Sequence, residues 1–430
     1  MSRLEELTNE ASAMRKDISA MAEQGGRTPL GELIRQYCPD GVEYKPLGEV
    51  CDIKGRIGFR GYTRNDQVKE GQGALSLSPS NIQNGQIDYS KGTYITWSKY
   101  EESPEIKTYN GDIILCKTAS VGKVALVKDL PCQATINPQL VVLKDIRCNA
   151  AFLTYVLGTD LVQNKIISMA GVGSVPNISQ KTLSALEIPI PPLPVQEEIV
   201  RILDNFAELQ AELQAELQKR KLQYSYYRDN LLSFSGRSDV KWMKLGDIGK
   251  VCMCKRIMKD QTSPTGDVPF FKIGTFGGDA DAYISQTLFE EYKAKFSYPQ
   301  KGDILISAAG TIGRTVVFDG TPSYFQDSNI VWLKHNESIV LNTFLKYCYA
   351  LNPWVVSTGG TIARLYNDNI LNAVIPVPSL AEQQKIVDIL DRFDTLTNDL
   401  AAGLPAEIEK RRQQYEYYRD KLLTFKRKTA

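Results

Sequence analysis

Two stretches of this chain carry the residue types from which a polyanion site can be built. The segment IKGRIGFRGYTR, residues 53–64, holds Lys54, Arg56, Arg60 and Arg64 with no acidic residue, glycines at 55, 58 and 61, and the rings of Phe59 and Tyr62 between them. The segment VCMCKRIMKD, residues 251–260, holds Lys255, Arg256 and Lys259 in a comparable place. A cationic, glycine-rich loop with interleaved aromatics suits a phosphate backbone or a groove edge. Lys123 and Arg314 each follow a glycine after the similar strand runs GDIIL and GDILI, and Lys117 and Arg364 complete the cationic candidates. Taken singly, each run also reads as a solvated face. Formal net charge is only +1, so no global charge field argues for a polyanion.

Catalytic sets are missing where an enzyme would need them. His335 is the single histidine, which excludes a histidine-based triad or a histidine-rich metal site built from this chain alone. It follows a strand run and reads as ordinary surface. The string PDGVEYK, with Asp40, Glu43 and Lys45, spells a metal-nuclease pattern, but two intervening residues leave no room for the turn that such paired strands require. Neither NPQL at 137 nor NPWV at 352 completes a pocket for a flipped base, and GTFGGDA at 274 is a weak glycine cluster. The cysteines at 38, 51, 116, 132, 148, 252, 254 and 348 form no C-x-x-C pair, so they read as small buried hydrophobes or free thiols. A charged N-terminus and the lack of any run of ~18 apolar residues argue against a leader or a membrane span and for the cytoplasm.

What positions the cationic runs is legible as a duplication. IPIPPLPVQEEIVRILDNF at 188–206 returns as IPVPSLAEQQKIVDILDRF at 375–393, and LQYSYYRDNLLSF at 222–234 returns as QQYEYYRDKLLTF at 413–425. The first displacement is 187 positions and the second 191, a difference of one helical turn. PLGEV at 46 matches KLGDI at 244, GDIILCKTASVGKV at 111 matches GDILISAAGTIGRT at 302, and GVGSVPN at 171 matches the run around Gly360. Between these landmarks the copies differ almost completely. At 430 residues the chain has room for two or three domains.

The variable parts read as mixed, mostly β: GDIILC, QLVVLK, GDILIS and NIVWLK are short apolar runs bounded by turn residues. AAFLTYVLGTDLVQNKI and LNTFLKYCYALNPWV carry helical spacing. The constant parts read as helices, giving an α+β class. After a proline-rich entry, a helix is expected from Gln196, with Ile199, Ile202, Leu203, Phe206 and Leu209 on one face. Within it AELQ is written three times without change over residues 207–218. Each unit adds ~6 Å and rotates the face by ~40°, so Leu209, Leu213 and Leu217 form a slowly drifting stripe. The repeat reads either as a solvated helix with a leucine seam or as an adjustable spacer. In the second copy Gly403 and Pro405 predict a break. Leu4, Leu7, Ala11, Met14, Ile18 and Met21 also follow a heptad seam.

Over essentially its full length the chain resembles the specificity subunits of type I restriction-modification systems, and the tetrapeptide repeat resembles the branch called type IC. YKPLGEV, the IPIPPLPVQEEIVRILDNF and YYRDNLLSF helices and their second copies carry the likeness. It implies an N-terminal helical segment (1–43), a first target recognition domain (44–187), a conserved helical spacer (188–236), a second recognition domain (237–374) and a second spacer (375–430). The spacers would pack antiparallel as a coiled coil, giving the duplication a pseudo-twofold form. Each domain would read half of a split double-stranded DNA target. Two methyltransferase (M) subunits carrying S-adenosylmethionine would dock on the helices, and restriction (R) subunits would bring ATP and Mg; this chain would hold no cofactor and catalyse nothing. Tyr227, Arg228, Tyr418 and Arg419 of the two YYRD runs are candidates for the partner interface; the tyrosines read equally as packing residues and the arginines as partners of a neighbouring carboxylate. The competing reading is a coiled-coil scaffold whose flanking domains bind protein. A solitary nuclease or methyltransferase lacks its motifs.

Overall fold

The computed structural model describes residues 29–56, 62–83, 85–171, 175–356, 363–399 and 401–428. The heptad seam of residues 4–21, Arg60 and Gly360 lie outside them. The chain divides into two compact units, Met1–Gln214 with Ile408–Ala430, and Ala215–Glu407.

In the first unit a four-stranded antiparallel sheet runs in the order 124–126, 113–116, 140–144, 52–54. A second sheet places strand Ala74–Leu77 parallel to Ala134–Ile136. The strands IILC at 113–116 and LVVL at 140–143 are buried on both faces, which is why they read as unbroken apolar runs rather than alternating ones. The second unit repeats this plan: 315–317, 304–307, 330–334, 250–252 in one antiparallel sheet, and Val268–Phe271 parallel to Tyr324–Phe325 in another. Two copies whose sequences differ almost completely thus share strand order, because the apolar runs and turn glycines that set it are kept. Gly122 (φ 98°) and Gly313 (φ 80°) turn the equivalent hairpins in the left-handed region that a side chain disfavours.

Each variable part is tied at a single neck. Strand Tyr44–Pro46 at its entry pairs antiparallel with Glu187–Pro189 at its exit, and Lys241–Lys244 pairs likewise with Val374–Val377. Entry and exit therefore sit side by side, so the sequence between them can vary without moving the helices.

The helix after the first neck is continuous from Leu193 to Ser233, 41 residues. It starts three residues before Gln196: Leu193, Pro194 and Val195 are already helical, correcting the expectation that the proline-rich entry ends at Gln196. Proline fits the first turn, where its missing N–H has no intrahelical partner. Its stripe is buried as expected, and Ile199, Ile202, Leu203 and Phe206 join a core that also takes Tyr418 and Leu422. The returning chain breaks as expected, into helices Leu380–Asn398 and Leu404–Leu422. The run 150–166 is two helices, Ala150–Leu157 and Asp160–Met169, since Thr159 caps the second. The 341–355 run is helical only over Asn342–Tyr349.

Two equivalent devices lock the helices to the domains. Buried Gln196 donates from Nε2 to the Pro191 carbonyl (2.6 Å) and accepts from the Asn149 amide (2.9 Å), at the cap of helix Ala150–Leu157. Buried Gln383 donates to the Pro378 and Ile339 carbonyls (2.9 Å each) and accepts from the Leu341 amide (2.9 Å), before helix Asn342–Tyr349. The Tyr155 hydroxyl donates to Asp204, and the Tyr347 hydroxyl to Asp391. Replacing Gln383 by Leu strands one buried amide and two carbonyls, so a loss of about 3 kcal/mol is expected. Calorimetry should show Tm lower by roughly 6–12 °C for a unit of this size; an unchanged Tm would mean water replaces the amide.

Candidate nucleic-acid interface

In the second unit, Arg256, Lys259 and Arg364 line one cleft of about 470 Å³, together with Lys272, Gln326, Asp327, Ser328 and Asn329. Arg256 and Lys259 come from the chain after strand Lys250–Cys252, and Lys272 follows strand Val268–Phe271. The 326–329 turn joins strand Tyr324–Phe325 to Ile330–Lys334. Strand order thus brings together cations more than a hundred positions apart in sequence. Arg256 is largely exposed and its Nε donates to Asp327 at 2.9 Å. The Arg364 Nη2 donates to the Ser328 carbonyl (2.6 Å), and Lys272 pairs with Asp281 at 2.8 Å. Lys255 is exposed beside Phe296, its ammonium 5.2 Å from the ring centre. Arg314 does not line this cleft; its Nη2 donates to the Gly277 carbonyl (3.1 Å).

The first unit treats its cations differently. Arg56 is half-buried: Nε donates to the Ile136 carbonyl (3.2 Å), and the guanidinium lies 5.6 Å from the Tyr62 ring centre. Burial pulls its pKa down from the ordinary arginine value. Lys54 pairs with Asp52 at 3.2 Å, and that carboxyl is held below its usual range by hydrogen bonds from Arg147 and then Lys54. Arg64 is exposed in the turn Arg64–Asp66, and Lys123 is exposed at the tip of the 116–124 hairpin. Lys117 is half-buried on the edge where its backbone meets Gln139 and Ile178.

On the helices, Tyr418 is buried and stacks on Phe206 at 6.0 Å, while Tyr227 stacks on Phe393 at 5.4 Å. Arg228 pairs with Asp229, and Arg419 with Asp420 and Asp160. The more exposed member of each tyrosine pair is Tyr226 (66%) in the first copy and Tyr417 (59%) in the second, at equivalent places; Tyr227 is 39% exposed beside its Phe393 stack. Leu209, Leu213 and Leu217 are all buried.

His335 differs from its expectation: it is half-buried, with Nε2 2.9 Å from the Val340 carbonyl, a packing residue rather than open surface. Burial pushes the thiols of Cys51 and Cys254 up to about 12, in keeping with packing. Glu43 pairs with Lys45, and among the described residues no group of three or more metal-ligating side chains comes together. No described helix is long and apolar enough to cross a membrane.

Two domains of one plan, each on a strand-paired neck next to a helix and carrying cationic side chains, define a duplicated protein. Residues 39–220 and 237–410 each match the type I restriction modification DNA specificity domain. The chain is 44% identical to the specificity subunit S.HindORF215P of Haemophilus influenzae, over 89% of this chain and 96% of that one. It is 37% identical to the EcoR124I/EcoR124II specificity subunit of Escherichia coli over 58% of this chain and 64% of that one. A chain from a solved type I restriction-modification assembly shares the fold, with a TM-score of 0.58 at 21% identity over 90% of this chain and 98% of that one. The chain belongs to the family of type I restriction-modification specificity subunits. It is a DNA-recognition component with two recognition domains and not itself a catalyst.

Proposed function

We propose that each recognition domain, 44–187 and 237–374, reads one half of a split double-stranded DNA target. The helices between them set the unspecified gap and dock two M subunits. Those partners bring S-adenosylmethionine and the adenine chemistry; R subunits, where they join, bring ATP and Mg, and the complex works in the cytoplasm. The observation that carries this reading is the duplicated plan itself: two equivalent domains, locked by Gln196 and Gln383 to the helices, of which the second gathers Arg256, Lys259, Lys272 and Arg364 in one cleft. Phosphate contacts are assigned to Lys54, Arg60, Arg64, Lys117 and Lys123 in the first domain and to Lys255, Lys259, Lys272 and Arg314 in the second. Arg56, whose Nε is bound to the Ile136 carbonyl, is assigned a positioning role beside them.

Binding of the chain with its M partner to duplex DNA over a salt series tests the reading. Counterion release predicts that log K falls against log salt by ~0.9 per neutralised phosphate. Lys259→Glu with Lys272→Glu should flatten that slope by about 2. A flat slope for the wild-type complex would favour the scaffold reading, in which the flanking domains bind protein.

A further inference from the structure

Arg256 and Asp327 form an ion pair that a plain phosphate contact does not require. The pair engages Nε at 2.9 Å, and among the described residues the terminal Nη1 and Nη2 are the donors left for a ligand. Asp327 is itself fixed. Ser328 donates to the same carboxylate oxygen (3.2 Å), and its own backbone sits at φ 54°, a left-handed conformation uncommon for a residue other than glycine. The turn is held there from three sides. The Gln326 amide donates to the Phe271 carbonyl (2.9 Å), the Gln326 side chain accepts from the Ile273 amide (2.9 Å), and Arg364 donates to the Ser328 carbonyl (2.6 Å).

A carboxylate beside the guanidinium repels an approaching phosphate, while it fixes the direction of the two terminal amino groups. Two parallel donors of fixed direction match the O6 and N7 acceptors that guanine presents in the major groove. Lys259 and Lys272 on the same cleft supply point charges rather than a planar fork, Lys272 paired with Asp281 at 2.8 Å. In the first unit the Arg56 Nε donates to a backbone carbonyl instead, and that arginine is half-buried, so among the described residues Arg56 does not repeat the arrangement.

The geometry points to Arg256, oriented by Asp327, as the side chain that reads a guanine in the half-site of the second domain, with Arg364 as a positioning residue for the turn. This rests on the two-reader function proposed above.

The test is the methylated motif in cells carrying the full chain with its M partner, for wild type, Arg256→Lys and Asp327→Asn. Lysine keeps the charge but has no planar fork. One G·C position of one half-site should degenerate in both variants, with ~10- to 100-fold loss of discrimination there. The other half-site should be kept, and the salt slope of purified Arg256→Lys should be unchanged. Because Arg256 is exposed, the lysine variant is expected to fold, and Asp327→Asn probes the same bond from the other side. The assignment is overturned if neither half-site contains a position that degenerates in either variant. It is equally overturned if Arg256→Lys weakens all sequences alike with a shallower salt slope, the signature of a phosphate contact. A wild-type motif that is not split at all would remove the two-reader function beneath it. A split motif indifferent to both variants removes the guanine assignment alone.

Discussion

Removing one AELQ unit, residues 215–218, is expected to shorten the unspecified gap of the DNA target by about one to two base pairs and to leave the bases of both halves unchanged. The reason is geometric. Four residues withdraw ~6 Å of helix and turn the remainder of the helix by only ~40°, against ~3.4 Å per base-pair step; the range of one to two allows for a helix not parallel to the DNA. The repeat is built to survive the change. Leu209, Leu213 and Leu217 are each buried, one per unit, while the positions between them are half-buried or exposed. Deleting a unit removes one leucine from the seam and leaves the remaining two in the same relation to each other, whereas deleting two or three residues would turn the seam out of register. A fourth unit should lengthen the gap by the same step. The measurement is the methylated motif of each variant expressed with its M partner. An unchanged gap in both directions would reduce the repeat to ordinary helix.

The tolerance of the domains to sequence change has the same origin as the legibility of the fold. Helices and strand pairs are readable because their signals are local: the 3.6-residue stripe from Ile199 to Phe206, the apolar runs at 113–116 and 330–334, and the break at Gly403 and Pro405. Sequence reasoning places the start of the long helix three residues late, because the proline there serves as a first-turn residue and not as a stop. The parallel pairing of Ala74–Leu77 with Ala134–Ile136 is not legible, since nothing local specifies which distant strand is a neighbour. The site divides along the same line. Charge singles out Arg256, Lys259 and Arg364, yet that they share a cleft with Lys272 and Asp327 depends on strand order. Gln196 and Gln383 stand at equivalent places in PVQEEIV and AEQQKIV, and the sign of a buried role is their recurrence at the first turn of two helices whose neighbouring charged residues differ. A glutamine in a helix start is otherwise an unremarked surface residue. Arg60 lies outside the described residues, so its place in the proposed contact set rests on sequence.

Replacing Tyr226 and Tyr417 together by alanine is expected to leave both recognition domains folded but to lower methylation sharply, because the proposed M subunits would each be held more weakly. The YYRD runs present a choice between two adjacent tyrosines, and the leucine seam decides it. Tyr226 lies nine residues beyond Leu217, about 180° around the helix, and is 66% exposed; Tyr227, 39% exposed, stacks one face of its ring on Phe393. In the second copy Tyr417 is 59% exposed while Tyr418 is buried on Phe206. The arginines that come next are tied to Asp229 and Asp420. Two equivalent outward aromatics on a duplicated frame fit two copies of one partner. Aromatic anchors at the centre of an interface cost about 2 kcal/mol or more each when truncated, roughly 30-fold in affinity at RT of about 0.6 kcal/mol. Native mass spectrometry of the chain titrated with M should therefore show Tyr226→Ala and Tyr417→Ala each weakening one of two binding steps, and the double variant weakening both. Tyr227→Ala is the control of opposite character: it removes a stacked pair within the second unit and should lower Tm while leaving the first M bound with little change. Two M subunits retained at wild-type affinity by the double variant would move the docking surface away from these rings.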